Sequence, residues 1–308
     1  MTTVAAIDCG TNSVRLLVAD LAADGTAVER ARLMRIVRLG EGVDRTGAFS
    51  ADALRRTFVA LDEYARVLDL EAVEQVRFVA TSASRDVSNR EAFATGVLQR
   101  IGVLPEVISG EEEAALSFLG AVRGLPAEAV EPPALVVDIG GGSTEFVRGS
   151  AEVEAAVSVD IGCVRMTERH LPGDPPTALQ IESARADIAR EVERADAAIG
   201  LSGARTMVGL AGSVTTVAAM ALGLARYDAK VLHGCLIRLD QVAEATQRLL
   251  AMSRAERAAL PYMHPGRVDV IAAGAMILRE AMVAGGYAEV RVSETDILDG
   301  IVYRFAQL

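Results

Sequence analysis

Tryptophan is absent from the 308 residues and aromatic residues make up only 4%, so the chain has no ready supply of platforms for stacking nucleic-acid bases. Positive charge is scarce too. The 31 Lys and Arg face 42 Asp and Glu, a formal net charge of −11, which argues against nucleic-acid binding through a broad basic face. A polyanionic substrate would have to be drawn by a local arginine cluster and by metal ions. The three cysteines, Cys9, Cys163 and Cys235, are far apart and odd in number, and with the three histidines they show no zinc spacing. They read as reduced residues of a cytoplasmic protein. A basic leader is missing and Asp8 interrupts the first apolar run, so no signal peptide is expected. The one long uncharged stretch, Thr206 to Ala225, contains three glycines and a Ser213-Val214-Thr215-Thr216 cluster. It reads as a strand, a loop and the start of a buried helix rather than a membrane span.

What remains is an aliphatic globular composition, 51% hydrophobic and 24% charged, long enough for one large domain or two ordinary ones. One device organises it. In Leu135 to Val147, LVVDIGGGSTEFV, a buried strand ends near Asp138, three glycines turn the backbone and a second strand leaves. Val4 to Asp20, VAAIDCGTNSVRLLVAD, repeats the order with Asp8 and a Gly10-Thr11-Asn12-Ser13 turn. Glycines allow successive N–H groups to line one concavity, an anion nest of phosphate size. A carboxylate at the strand end repels phosphate unless a divalent cation lies between them, so the pairing suggests metal-bridged phosphate.

Along the chain, Met1 to about Ala31 reads as a hairpin or three-stranded meander and Arg32 to Val43 as a strand leaving the sheet. Ser50 caps a helix with Leu54, Phe58, Leu61, Tyr64 and Leu68 on one face. Val76 to Ala80 is a strand opening into the hydroxyl-rich Thr81-Ser82-Ala83-Ser84-Arg85-Asp86, where open α/β sheets place ligand contacts. Arg85 is free there to reach a ligand or to pair with Asp86. Ser88 and Glu91 form a capping box for the next helix. After the strand Pro105 to Ile108, a helix starts at Ser109 with Glu111, Glu112 and Glu113 in its first turn. Capping accounts for Glu112 and solvent for Glu111, which leaves Glu113 as the candidate for catalysis, with dipole complementation as the plain alternative. Pro126, Pro132 and Pro133 mark a boundary between domains at 1–124 and 125–308. Further on, Gly212 and Ser213 form a third small-residue loop entering a helix, another place for phosphate or a nucleotide. Gly266 to Ala284 reads as a helix packed on a sheet, Glu289 to Val292 as the last strand, and a terminal helix follows that can pack back on the first domain.

Taken together, Ile7–Ser13, Ala80–Asp86, Ile108–Ala114 and Asp138–Glu145 resemble the exopolyphosphatase and guanosine pentaphosphate phosphohydrolase family, in the right order along almost the whole chain. The resemblance implies an α/β fold of two ribonuclease-H-like domains of the actin-like ATPase superfamily with a cleft between them, in the short form without a further helical domain. It implies Glu113 as general base, with Glu112 as the rival alignment, and Asp138 and Glu145 as ligands of Mg²⁺ or Mn²⁺. Phosphate would be held by Gly140, Gly141, Gly142 and the Ser143 and Thr144 hydroxyls in one domain, by Asp8, Gly10, Thr11, Asn12, Ser13 and Arg85 in the other, and by Gly212 and Ser213 in the third loop. The implied activity is hydrolysis of the terminal phosphoanhydride of inorganic polyphosphate, with short chains favoured by the acidic charge, or of guanosine pentaphosphate. Two other classes stand beside it: a kinase of the same superfamily and a non-catalytic nucleotide sensor. No nucleic-acid or membrane partner is expected. A homodimer is the assembly to test, since the sequence does not set oligomeric state.

Overall fold

A computed structural model describes residues 1–85 and 87–306. The chain divides into two compact units, Met1–Gly120 with Ile297 onward, and Ala121–Asp296.

The first unit begins with the meander β1 (Thr2–Cys9), β2 (Ser13–Leu21) and β3 (Ala27–Ile36), then a short α1 (Val43–Thr46) and α2 (Ala51–Leu70). It continues through β4 (Gln75–Ala80), α3 (Arg90–Ile101), β5 (Glu106–Val107) and α4 (Gly110–Gly124), whose last residues belong to the second unit. The sheet order is β3-β2-β1-β4-β5, with β1 antiparallel to β2 and parallel to β4. The residues expected to form a separate strand from Arg32 instead extend β3 to Ile36, because each keeps its cross-strand partner on β2 as far as Ser13.

Central β1 is covered on both faces, which is why it is apolar without alternation. Ala5, Ile7 and Cys9 pack with Leu61, Tyr64, Phe78 and Phe93 on one side, while Val4 and Ala6 pack with Leu116, Ile301 and Val302 on the other. Ser50 accepts the Ala53 N–H at the start of α2. Buried Tyr64 donates its hydroxyl to Val14 O at 2.8 Å, worth about 1 kcal/mol, and burial pushes its phenol upward from the ordinary value. The capping box expected at Ser88 and Glu91 is not formed. Asn89 occupies the N-cap of α3, and its side chain instead exchanges two hydrogen bonds with the backbone of Phe49, each 2.9 Å, while Ser88 binds Gly47 O.

The second unit repeats the plan. Its elements are β6 (Ala134–Ile139), β7 (Thr144–Gly149), β8 (Val153–Val159), α5 (Cys163–His170), α6 (Ala178–Ile199), β9 (Thr206–Leu210), α7 (Ala211–Ala221), α8 (Ala229–Leu232), β10 (Leu236–Arg238), α9 (Leu239–Ala251), α10 (Arg254–Ala258), α11 (Ile271–Gly285) and β11 (Glu289–Val292). The order β10-β11-β9-β6-β7-β8 contains the first sheet's pattern, again with an antiparallel meander and parallel neighbours on the far side, plus one antiparallel edge strand. The uncharged stretch from Thr206 resolves into β9 and α7, and no helix among the described residues is long and apolar enough to cross a membrane. Gly274 lies in α11, which starts at Ile271 rather than Gly266. Its close approach is to Ser213 and Cys163 at the starts of α7 and α5, so Gly274 serves helix packing, while α11 also lies against β6 of the sheet.

A terminal helix α12 (Ile297–Phe305) closes the first unit, with Asp299 held by Arg32 of β3 at 2.6 Å. At Gly300 it meets the backbone of α4, where an added Cβ would stand 1.9 Å from Leu116 O. Backbone cannot yield as a flexible side chain can, so Gly300→Ala is expected to cost about 1–3 kcal/mol. Urea melts of the variant would measure this, and an unchanged midpoint would mean that α12 does not depend on this contact.

Candidate active site

Both β1–β2 and β6–β7 turn through four residues closed in the same way. The Gly10 N–H donates to Ser13 O (2.9 Å) and the Gly140 N–H to Ser143 O (3.0 Å). In the first unit the segment after β3 returns to this loop. Gly40 N–H donates to Thr11 O, and Val37 and Arg38 N–H both donate to Asn12 O, at 2.9–3.0 Å. Arg38 takes a φ of 49°, unusual for a residue with a side chain, where two consecutive amides reach one carbonyl. In the second unit the start of α5 does the same, Cys163 N–H donating to Gly140 O and Val164 and Arg165 N–H to Gly141 O, at 2.9–3.1 Å.

A peptide N–H points away from its own C=O. Fixing the carbonyls of Thr11 and Asn12 therefore turns the N–H groups of Asn12 and Ser13 the opposite way, and fixing those of Gly140 and Gly141 does so for Gly141 and Gly142. Each unit thus carries an oriented amide nest for an anion. The returning segments must come close: a Cβ on Gly40 would stand 2.3 Å from the Thr11 side chain, and one on Gly162 would stand 2.3 Å from Gly141 C and O.

Register decides the electrostatics. Asp8 lies opposite Arg15, and Asp138 lies opposite Glu145. Facing residues on antiparallel strands point to the same side, so each pair meets. In the first unit, Arg15 donates from Nε (3.0 Å) and Nη2 (2.5 Å) to one oxygen of the buried Asp8. Asp8, expected among the phosphate-binding residues, is thus engaged by Arg15. In the second unit the same position holds two buried carboxylates, with Ser158 Oγ donating to Glu145 at 2.6 Å. Among the described residues no group of three or more His, Cys, Asp or Glu could enclose a metal ion. Two facing carboxylates nevertheless fit a hard divalent cation such as Mg²⁺, which keeps several waters and takes substrate phosphate oxygens as further ligands.

The acids at the start of α4 separate clearly. Glu112 pairs with Arg77 at 2.7 Å on the exposed side, while its backbone N–H donates to the capping Ser109 Oγ (3.1 Å). Glu113 is buried, 8% exposed, and its carboxylate pairs with Arg85 Nη2, while Arg85 Nε donates to Ile108 O at 3.0 Å. Arg85 therefore meets Glu113; Asp86 lies outside the described residues. Thr11 and Ser82 share a hydroxyl hydrogen bond of 3.0 Å, which ties the first nest to the loop carrying Arg85.

Two hydroxyls depart from expectation. Thr144, 0% exposed, donates to Ile161 O at 2.5 Å and so closes the strand ends of the meander instead of facing an anion. Ser213 is buried against Gly274 and Cys163, and its hydroxyl partly offsets the rise in the Cys163 thiol that burial causes. Gly212 lies under the guanidinium of Arg267, a Cβ there coming 2.3 Å from Cζ. Arg267 also donates to Thr216 Oγ1 (3.1 Å), which in turn donates to Gly212 O (2.7 Å). Ala211, at the strand-to-helix turn before them, takes a φ of 69°, a strained value for alanine. Arg15 and Arg267 were not among the residues singled out from the sequence. Arg15 could have been found from hairpin register, whereas Arg267 arrives from a turn more than 50 residues beyond Gly212.

Residues 18–308 match the Ppx/GppA phosphatase family. The chain belongs to that family. It is 48% identical to exopolyphosphatase 2 of Mycobacterium tuberculosis over 99% of both chains. Among solved structures, an exopolyphosphatase-like protein superposes with a TM-score of 0.95 at 42% identity, covering 99% of this chain and 98% of that one. The Ppx-GppA enzyme of Aquifex aeolicus gives 0.82 at 31%, covering 98% and 99%. The two repeated sheets are thus the fold shared with these Ppx/GppA structures.

Because Gly162 touches the backbone of the second nest, Gly162→Ala is expected to weaken orthophosphate binding about tenfold, or 1.4 kcal/mol. Calorimetric titration would detect this, and wild-type affinity would show that the approach of α5 does not shape the nest.

Proposed function

We propose that the chain is an exopolyphosphatase that hydrolyses the terminal phosphoanhydride of inorganic polyphosphate and releases orthophosphate. The observation that carries the reading is the divergence of one duplicated hairpin into an arginine-neutralised acid, Asp8–Arg15, and an acid pair, Asp138–Glu145. The first carries its own guanidinium, and the second sets two carboxylates face to face, the hard oxygen donors that a divalent cation takes. The 48% identity to a polyphosphate-named relative over 99% of both chains supports polyphosphate as the substrate rather than guanosine pentaphosphate.

In this mechanism the amides of Asn12 and Ser13, and those of Gly141 and Gly142, donate to phosphate oxygens. In the first unit Arg85 adds a guanidinium to the phosphate donors, and in the second Arg267 does so at the third loop. Glu113 accepts the proton of the attacking water as its oxygen bonds to phosphorus and the anhydride P–O bond breaks. The departing chain leaves as a stable phosphate anion, so no general acid is required. Asp138 and Glu145 would hold Mg²⁺ or Mn²⁺, which when bound supplies charge neutralisation at the phosphate oxygens. Such chemistry depends mainly on positioning and electrostatics, with a base contributing roughly 10²- to 10⁴-fold. A cytoplasmic location, suited to three free thiols, and a homodimer belong to the same proposal.

The test is phosphate release, with Mg²⁺, from a short polyphosphate and from guanosine pentaphosphate side by side. Release from polyphosphate should dominate, and Glu113→Gln should lower turnover about 10²- to 10⁴-fold. Glu112→Gln should remain active, since that acid is committed to Arg77. Asp138→Asn should raise the Mg²⁺ concentration for half-maximal rate about tenfold or more. Release from the pentaphosphate alone would move the protein to alarmone hydrolysis. Turnover unchanged in Glu113→Gln would remove that residue from the role of base.

A further inference from the structure

Glu113 is held in a state that opposes its role as a base. Its carboxylate is buried in the first turn of α4, where the helix N-terminus favours the anion. It is also paired with the Arg85 guanidinium. Both commit the carboxylate oxygens within the protein before any water is bound. Arg85 in turn has a divided attachment. Nε is tethered to Ile108 O at 3.0 Å, on the strand end leading into α4, whereas Nη2 is given to Glu113. The arginine side chain is 23% exposed, so its outer edge reaches solvent while its inner edge is occupied.

Resting on the exopolyphosphatase reading, we propose that Arg85 is the latch on Glu113: it pairs with the carboxylate until a substrate phosphate takes the guanidinium and releases Glu113 to accept the proton of water. A terminal phosphate carries more negative charge than a carboxylate and offers bidentate geometry to the fork, so it competes well for the same N–H groups. The Ile108 tether keeps the guanidinium at the site during the exchange, so the movement needed is a rotation of its outer end. The base becomes competent only once phosphate is bound. The bonds made and broken in hydrolysis are unchanged by the latch, which governs only when the carboxylate oxygen is available.

A double-mutant cycle on binding tests this. The probe is a methylene-bridged triphosphate, which wild type cannot hydrolyse, titrated calorimetrically with Mg²⁺ into wild type, Glu113→Gln, Arg85→Gln and the double variant. If phosphate must displace Glu113 from Arg85, Glu113→Gln removes the competitor and binding tightens about tenfold, a gain that disappears in the Arg85→Gln background. Simple repulsion between Glu113 and phosphate would instead give the same gain in both backgrounds, and would overturn the latch. No gain in either background would overturn it as well. Should Arg85→Gln abolish measurable binding, structures of wild type free and with the probe decide. Separation of Arg85 Nη2 from Glu113 beyond 4 Å supports the latch, and an intact pair beside bound probe refutes it. Failure of the exopolyphosphatase reading is read separately, from phosphate release by wild type.

Discussion

The structure depends on the capture of a few backbone carbonyls. In each unit, amides arriving after the third strand of a meander bind the carbonyl oxygens of the turn between the first two strands. Without that capture the turn would be an ordinary hairpin loop with its peptides free to rotate. With it, the N–H groups are set toward an anion before any anion arrives, and no reorganisation is required at the moment of reaction. The glycines follow from this need. Gly40 and Gly162 let the capturing segment lie against the loop, while Gly10 and Gly140 close the turn itself.

Duplication of this device makes its divergence informative. The same register position carries Arg15 in one unit and Glu145 in the other, so one copy sets a guanidinium opposite its strand-end acid and the other sets a second carboxylate there. Two like charges facing one another across a hairpin are destabilising unless something positive joins them. Such a pair in buried positions offers the hard oxygen donors that a divalent cation takes. The Arg15–Asp8 pair has the opposite character: it is locally satisfied and fixes a guanidinium beside the first nest.

Much of the fold was legible because buried strands in an aliphatic chain are contiguous apolar runs, and because both glycine turns stand between such runs. The meander, β4, β9 and β11 follow from that pattern. What escaped depended on partners distant in sequence. Ser88 and Glu91 satisfy the local capping pattern, but the backbone of Phe49 needs a donor and an acceptor, and the Asn89 side chain supplies both. Glu112 and Glu113 differ in partners distant in sequence, Arg77 for the first and Arg85 for the second, which the local pattern does not show. Thr144 reads as a phosphate ligand beside three glycines, yet strand alternation turns it inward to Ile161 O. The register that sets Asp8 opposite Arg15 follows from the four-residue turn alone and was the one unread part of the site within reach of local reasoning.

An acidic protein acting on a polyanion must separate its local field from its global one. At physiological salt the Debye length is about 8 Å, so exposed acids distant from the nests weigh little on a phosphate already seated there. They weigh more on a long chain whose remaining phosphates lie across an acidic surface. The cationic side chains are almost all arginine, with Lys230 the sole lysine, and the arginines at the candidate site are committed in the resting state. Arg15 is held by Asp8, Arg85 by Glu113, and Arg267 by the Thr216 hydroxyl beside Gly212. On the proposed mechanism attraction arises at short range, by exchange of the Glu113 carboxylate for phosphate at Arg85, and not by long-range steering. Such a site favours the end of a chain over its middle, because only a terminal phosphate brings its extra charge and its free oxygens to a guanidinium that must first be won from a carboxylate.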